Sequence, residues 1–214
     1  MNKSILFSFL TILLCLNLQA QFEGKVVYSV SYEAVDPSKS QMLSMLPDES
    51  VLTVKGDLSL FEQKVAGGGK QAFIVDASAG SGILVMQFLG QEYKVEMSKA
   101  EIETLKQTRK LKIHKTDERK TIAGEHCLGA LATSETDTLQ VFYAEKINSS
   151  ASFPPFADIE GLPMEYELIR GGIKMKYSAQ TILREKIDDS VFTTDPQMKS
   201  VKFEDFAKSF AITQ

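Results

Sequence analysis

Apolar side chains recur at every second position through much of the chain. Val26, Tyr28, Val30 and Tyr32 alternate with Val27, Ser29, Ser31 and Glu33, as in a strand with one face buried and the other wetted. Leu52, Val54, Leu58 and Leu60 repeat the pattern around a bulge or turn at Gly56-Asp57, and short apolar runs at 72–75, 83–89 and 93–97 lie between Gly and Ser clusters. The series continues through Leu111 and Ile113, then Leu139, Val141 and Tyr143, then Met164, Tyr166 and Leu168, and finally Ile173, Met175 and Tyr177. About ten short strands separated by turn signals predict a mainly β (α+β) fold: one large antiparallel sheet, a sandwich or a barrel. Gly171-Gly172 reads as a two-residue hairpin turn, since both central positions of such turns favour positive φ. The register follows, with Leu168 opposite Met175, Tyr166 opposite Tyr177 and Glu167 opposite Lys176; a slip of one residue would bury the charges.

Three segments break the alternation. Asp36-Pro37 has helix-start chemistry, and Met42, Leu43, Met45 and Leu46 follow at helical spacing before Pro47. Ser98 and Glu101 form a capping box, opening a helix with Ile102 and Leu105 on one face. Phe203, Phe206, Ala207 and Phe210 fall at i, i+3, i+4 and i+7, an amphipathic helix with aromatic anchors. Such short helices are unstable alone and are expected to dock on the sheet. The loop-like stretch at 148–155 spans an edge rather than dividing domains.

Residues 1–20 stand apart from this pattern. Lys3 precedes an uncharged apolar run over residues 5–18, and Ala20 offers a small residue for cleavage, which predicts a signal peptide and a mature chain starting at Gln21. The run is shorter than the roughly 20 residues of a spanning helix. Cys15 follows the bulky Leu14 inside this run, an unsuitable setting for a lipidated cysteine. Residues 21–214 then form a single domain of ordinary globular composition, the whole chain having 214 residues with 43% apolar and 24% charged. Removing Lys3 from the 24 basic residues leaves 23 against 28 acidic, a formal charge of −5. Nothing in that balance favours nucleic acid or an anionic lipid surface. Cys127 is the one cysteine beyond the leader, so stability must come from a core rather than from an internal disulfide.

The chemical motifs have simpler explanations. Gly67-Gly68-Gly69-Lys70 lacks the first glycine and the following hydroxyl of a phosphate loop and reads as a hairpin turn or a mobile loop. His126 and Cys127, adjacent on a strand, point to opposite faces and are poorly placed to share a metal ion. Glu165 and Glu167 share a strand face as paired catalytic carboxylates might, but ion pairs with Lys174 and Lys176 explain all four residues. The cluster Lys106, Arg109, Lys110, Lys112 and Lys115 reads as a solvated strand face. No catalytic, metal or cofactor signature is present, and the expectation is a non-enzymatic protein without cofactor.

Several stretches taken together resemble known families. Phe22 to Tyr28 directly after the leader, Lys120 to Cys127 (KTIAGEHC), the aromatic strand from Asp137 to Tyr143, and the segment around Gly161-Leu162-Pro163 are similar to secreted proteins of Gram-negative bacteria. These form a domain family of unknown function related to the GLPGLI family. The closing pattern from Ile187 to Phe192 resembles the last strand of lipoprotein carriers of the LolA type. The resemblance implies a large curved antiparallel sheet, a LolA-like half-barrel with two or three short helices packed on it, in a periplasmic or secreted protein. It also implies a lipid, another apolar ligand or a partner segment on the concave side, with Met42, Met45, Leu46, Phe203, Phe206 and Phe210 as the lining. The rival expectation is an envelope partner-interaction protein with a filled core and no ligand; an envelope hydrolase is the more distant one. The exported protein should begin at Gln21 and carry no lipid, and an intact mass retaining an acylated Cys15 would refute this.

Overall fold

A computed structural model describes residues 21–65, 68–88, 90–107, 111–134, 137–147, 156 and 159–209. The leader, Phe210 and the stretch 148–155 lie outside the described residues. Among the described residues, twelve strands form one open sheet: β1 (Glu23–Ala34), β2 (Glu49–Lys55), β3 (Leu58–Val65), β4 (Gly69–Asp76), β5 (Ser81–Phe88), β6 (Gln91–Met97), β7 (Lys112–Ile122), β8 (Glu125–Thr133), β9 (Thr138–Ala144), β10 (Leu162–Arg170), β11 (Ile173–Arg184) and β12 (Lys199–Ser200). Their order is β12-β6-β5-β4-β3-β2-β1-β11-β10-β9-β8-β7, and every pairing is antiparallel except β12 with β6. Two ladders of consecutive hairpins, β1 to β6 and β7 to β11, are therefore joined where β1 pairs with β11. The sheet is not closed into a barrel.

Directly opposed residues share a face, so the registers trace rows across the sheet. Val30, Tyr177, Tyr166, Val141 and Ala130 form one row over β1, β11, β10, β9 and β8, and all five are buried. Tyr166 stacks on Tyr177 with ring centroids 4.8 Å apart and takes Tyr28 and Phe156 edge-on at 5.9 and 5.2 Å. Offset and edge-on rings are the preferred aromatic geometries and add to the area they bury. Tyr28 Oη donates to Pro163 O at 2.8 Å, which satisfies its buried hydroxyl.

The neighbouring row, Ser29, Ser178, Glu165, Phe142 and Gly129, faces the other way. It should be wet, yet Glu165 and Phe142 are buried. The cause is a bulge in the edge strand. Lys115 pairs with Ala130 and Arg119 with Leu128, so residues 116–118 crowd against Gly129 alone. Beyond the bulge Lys120 reaches Glu165 of β10, and Glu125 of β8 meets Arg184 of β11, both across intervening strands. Bridges of that reach require the β7–β8 hairpin to arc back over β10 and β11, which is the curl of this half of the sheet.

The other half is clamped from both sides. Leu60, Ile74 and Ile83 form a row covered by Ile187, Phe192 and Met198. The adjacent row, Phe61, Phe73, Leu84 and Val95, faces the other way, and its Phe73, Leu84 and Val95 pack with α1 (Lys99–Gln107) and α2 (Phe203–Ser209). After β11 the chain thus runs beneath one face, passes the edge as β12 and returns over the other face as α2. α1 opens with the expected box: Ser98 N donates to Glu101 Oε2 at 2.7 Å, and Glu101 N donates to Ser98 Oγ at 3.4 Å.

Two expectations need correction. The segment Pro37–Met45 is a 3-10 helix, not an amphipathic α-helix, and none of its residues is buried. Spacing alone does not separate a period of 3.0 from one of 3.6 over two or three turns. The pattern also passed over β8 and β12. β8 carries Gly129, Ala130 and Ala132, small residues whose alternation is invisible to a hydropathy reading, and β12 has only two residues. A Cβ at Gly129 would lie 2.6 Å from Thr116 Oγ1 and 3.2 Å from Glu118 O. Gly129→Ala should therefore destabilise the fold by about 1–3 kcal/mol, read as a lowered urea midpoint with an unchanged m-value.

Candidate functional site

An open groove lies where β1 runs into β2. Val35 N and Asp36 N both donate to Gly172 O at 2.9 Å, fastening the start of the 3-10 segment to the β10–β11 turn. Gly172 has no room for a side chain, because a Cβ there would stand 2.7 Å from Asp36 Cβ. At the other end Tyr32 Oη donates to Pro47 O. Between these ties lies an open groove of about 450 Å³ lined by Tyr32, Leu43, Ser44, Leu46, Pro47, Asp48 and Lys64. That volume falls within the usual range for ligand sites. Burial pushes the Tyr32 hydroxyl well above its ordinary pKa, with Tyr177 and Asp48 adding to the effect. It stays a neutral donor at any physiological pH.

The segment that supplies Leu43, Ser44 and Leu46 to the groove, with the chain just before it, also carries three of the most exposed large apolar side chains in the described structure. Val35, Met42 and Met45 are 56%, 49% and 61% exposed. About half or more of each is in water, whereas the core around Tyr28 and Tyr166 is filled. Tyr28, Leu52, Phe61, Phe156, Leu162, Pro163 and Tyr166 leave about 10 Å³ among them, room for a single water and not for an acyl chain.

The residues expected to line a ligand site are thus distributed over two places. Leu46 lines the groove, and Met42 and Met45 stand exposed on the same segment. Phe203 and Phe206 are buried in a cluster with Leu84, Val95, Met97 and Ile102, and Phe210 lies outside the described residues. The 3-10 segment packs against β1 and α2 against β6, with four strands between them in the sheet. The structure does not bring the two sets together. Tyr32, Asp48 and Lys64 were not singled out by the sequence; Tyr32 merely continues the β1 alternation, and the groove exists only because Pro47 folds back onto it.

The charged residues of β10 have structural partners. Lys174 Nζ lies 3.0 Å from Glu167, the diagonal neighbour, while Lys176 lies 3.4 Å from Glu165. Glu165 also accepts from Lys120 Nζ at 2.8 Å and from Ser178 Oγ at 3.2 Å. Burial alone would raise its pKa, but the Lys120 hydrogen bond and the charges of Lys176 and Lys120 outweigh it and hold the carboxyl below its ordinary value. A carboxylate so held is a poor proton donor. Cys127 is buried, and burial pushes its thiol up to about 11, so it is protonated and unreactive at neutral pH. His126 is exposed, with Nδ1 3.5 Å from Thr121 Oγ1. Gly69 and Lys70 open β4, the far side of a hairpin turn. Among the described residues no helix is long and apolar enough to cross a membrane.

No protein-family model matches the sequence, and no curated protein matches it. Solved structures do share the fold. Two crystal forms of PNGF-II superpose with a TM-score of 0.57 at 15% and 13% identity, covering 89% of this chain and 33% of theirs. The chain therefore spans about a third of the length of that protein. A more remote likeness is the MucA/MucB complex of Pseudomonas aeruginosa, with a TM-score of 0.39 at 10% identity over 83% of this chain and 58% of that one.

Glu165 contributes stability in its ionised form. That contribution is complete above its ordinary pKa of 4.5 and is lost as the pH falls through the lowered native value. The stability difference between wild type and Glu165→Gln should be constant from about pH 8 to pH 5 and shrink on further acidification. Urea titrations across that range test it, and a difference that grows towards acid pH would contradict it.

Proposed function

We propose that the protein is an exported, non-enzymatic binding protein that takes an apolar segment of a partner protein in the groove beside Tyr32, against Met42 and Met45. The observation that carries this reading is the contrast between the filled core around Tyr166 and an open groove whose 3-10 segment, with Val35 just before it, carries three half-exposed apolar side chains. Exposed apolar side chains gathered at one place mark interaction surfaces, and methionine suits them because its unbranched thioether adapts its shape. The filled core around Tyr28 and Tyr166 leaves no room for an enclosed acyl chain, which favours a surface-bound segment in the groove over a ligand on the concave side. The groove offers a peptide both an apolar wall and the polar Ser44, Asp48 and Lys64 at its rim.

Two further features support the non-enzymatic part. The buried thiol is protonated, and the buried carboxylate is tied to two lysines. Export rests on the leader at residues 1–20, with cleavage after Ala20. The resemblance at Lys120 to Cys127 and at Gly161-Leu162-Pro163 supports reading the chain as a relative of the exported GLPGLI-related proteins with a LolA-like sheet.

A photoreactive amino acid at position 45, introduced in the protein's own cells, should cross-link to a protein. The same group at Val191, exposed elsewhere, should not. Met42→Asp should reduce the adduct about tenfold or more, since burying one methionine side chain is worth roughly 1.5–3 kcal/mol. Recovery of lipid alone, or of no adduct from position 45, would reject the reading.

A further inference from the structure

We infer that Gln21 is a modification site, where cleavage after Ala20 is followed by closure of the new N-terminus to pyroglutamate. The inference rests on the export reading above. Phe22 is 7% exposed and packs in the main core with Val26 and Val54, and β1 begins at the next residue. Glu23 is already paired with Lys55. The described chain is therefore fixed to the sheet from Phe22 onward, and cleavage after Ala20 would leave a lead of one residue. That residue is exposed, its side-chain amide Nε2 lying 3.5 Å from Asp57 Oδ1 on the turn between β2 and β3. The α-amine and a γ-carboxamide would then sit on the same surface residue, the arrangement required for a five-membered lactam.

The step balances without a co-reactant. The neutral α-amine attacks Cδ, the new N–C bond forms, the Cδ–Nε2 bond breaks, and Nε2 leaves as ammonia with the proton released from the amine. Nothing is oxidised or reduced. The Asp57 carboxylate stands beside the departing nitrogen as a hydrogen-bond acceptor. Closure removes the positive charge of the terminus and the amine that aminopeptidases require. The protected residue is the one directly before Phe22, whose loss would open the core.

Intact mass and N-terminal sequencing of the protein exported by its own cells test this. The expected mass is that of residues 21–214 lighter by one ammonia. Edman degradation should be blocked, and pyroglutamyl aminopeptidase should unblock it to give Phe22 first. Gln21→Ala should show the full mass and an open amine, and should be trimmed by an aminopeptidase that leaves the wild type intact. A chain beginning at Gln21 with full mass and an open amine would overturn the inference while leaving export in place. A chain that keeps the leader, or starts elsewhere, would overturn both.

Discussion

Pairing of β1 with β11 is the joint on which the rest of the structure depends. Each half of the sheet is a ladder of sequential hairpins that local turns can assemble. Only the register from Gly24 opposite Arg184 to Ala34 opposite Ile173 makes them one sheet. The join also creates the main core. Val26, Tyr28 and Val30 of β1 pack with Tyr177 and Ala179 of β11, and through them with Tyr166 and Val141. Neither ladder could bury that face alone. The segment behind the groove depends on the same joint, because Val35 and Asp36 are held by Gly172, the turn that delivers the chain into β11.

The curl of the β7 to β11 half has a different origin. A flat sheet would leave Glu165 and Phe142 on an open face. The bulge against Gly129 instead lays the edge strand over them, with Lys120 Nζ 5.4 Å from the Phe142 ring and bonded to Glu165. One carboxylate therefore receives two lysines and a serine in a partly dry setting, where its charge is worth more than that of an exposed pair. An edge that is bulged, charged and folded inward is also protected against pairing with other chains.

Much of this was legible in the residues. Period-two alternation located most strands, the Gly171-Gly172 turn gave the β10–β11 register residue by residue, and the Ser98–Glu101 box gave the start of α1. What escaped was decided by tertiary packing. Gly129 of β8 has no side chain because a bulged neighbour lies on it. Glu165 looked solvent-facing because alternation reports only which face a residue takes, not what later covers that face. The methionines at 42 and 45 read as the apolar lining of a ligand site on a docked helix, because their spacing was helical; a 3-10 turn tied at both ends holds them in water instead. Glu167 took Lys174 rather than Lys176, since side chains reach diagonally where registers are read straight across. The groove itself left no local mark, being made by Pro47, Tyr32 and Lys64 from three different elements.

Residues 185–209 close over the sheet last in chain order, passing from Ile187 and Phe192 on one face, past β12, to Phe203 and Phe206 on the other. Until they arrive, the β3 to β6 hairpins present one uncovered apolar face, a second covered only by α1, and an unpaired edge. The nascent chain is thus barred from completing its fold early, because both the β1–β11 joint and this wrap depend on residues beyond position 172. Contacts so distant in sequence are slow to form. Under the export reading proposed above, that delay is useful: a chain threaded through a membrane pore N-terminus first would stay pliable until nearly all of it had emerged, and then lock from the C-terminal side.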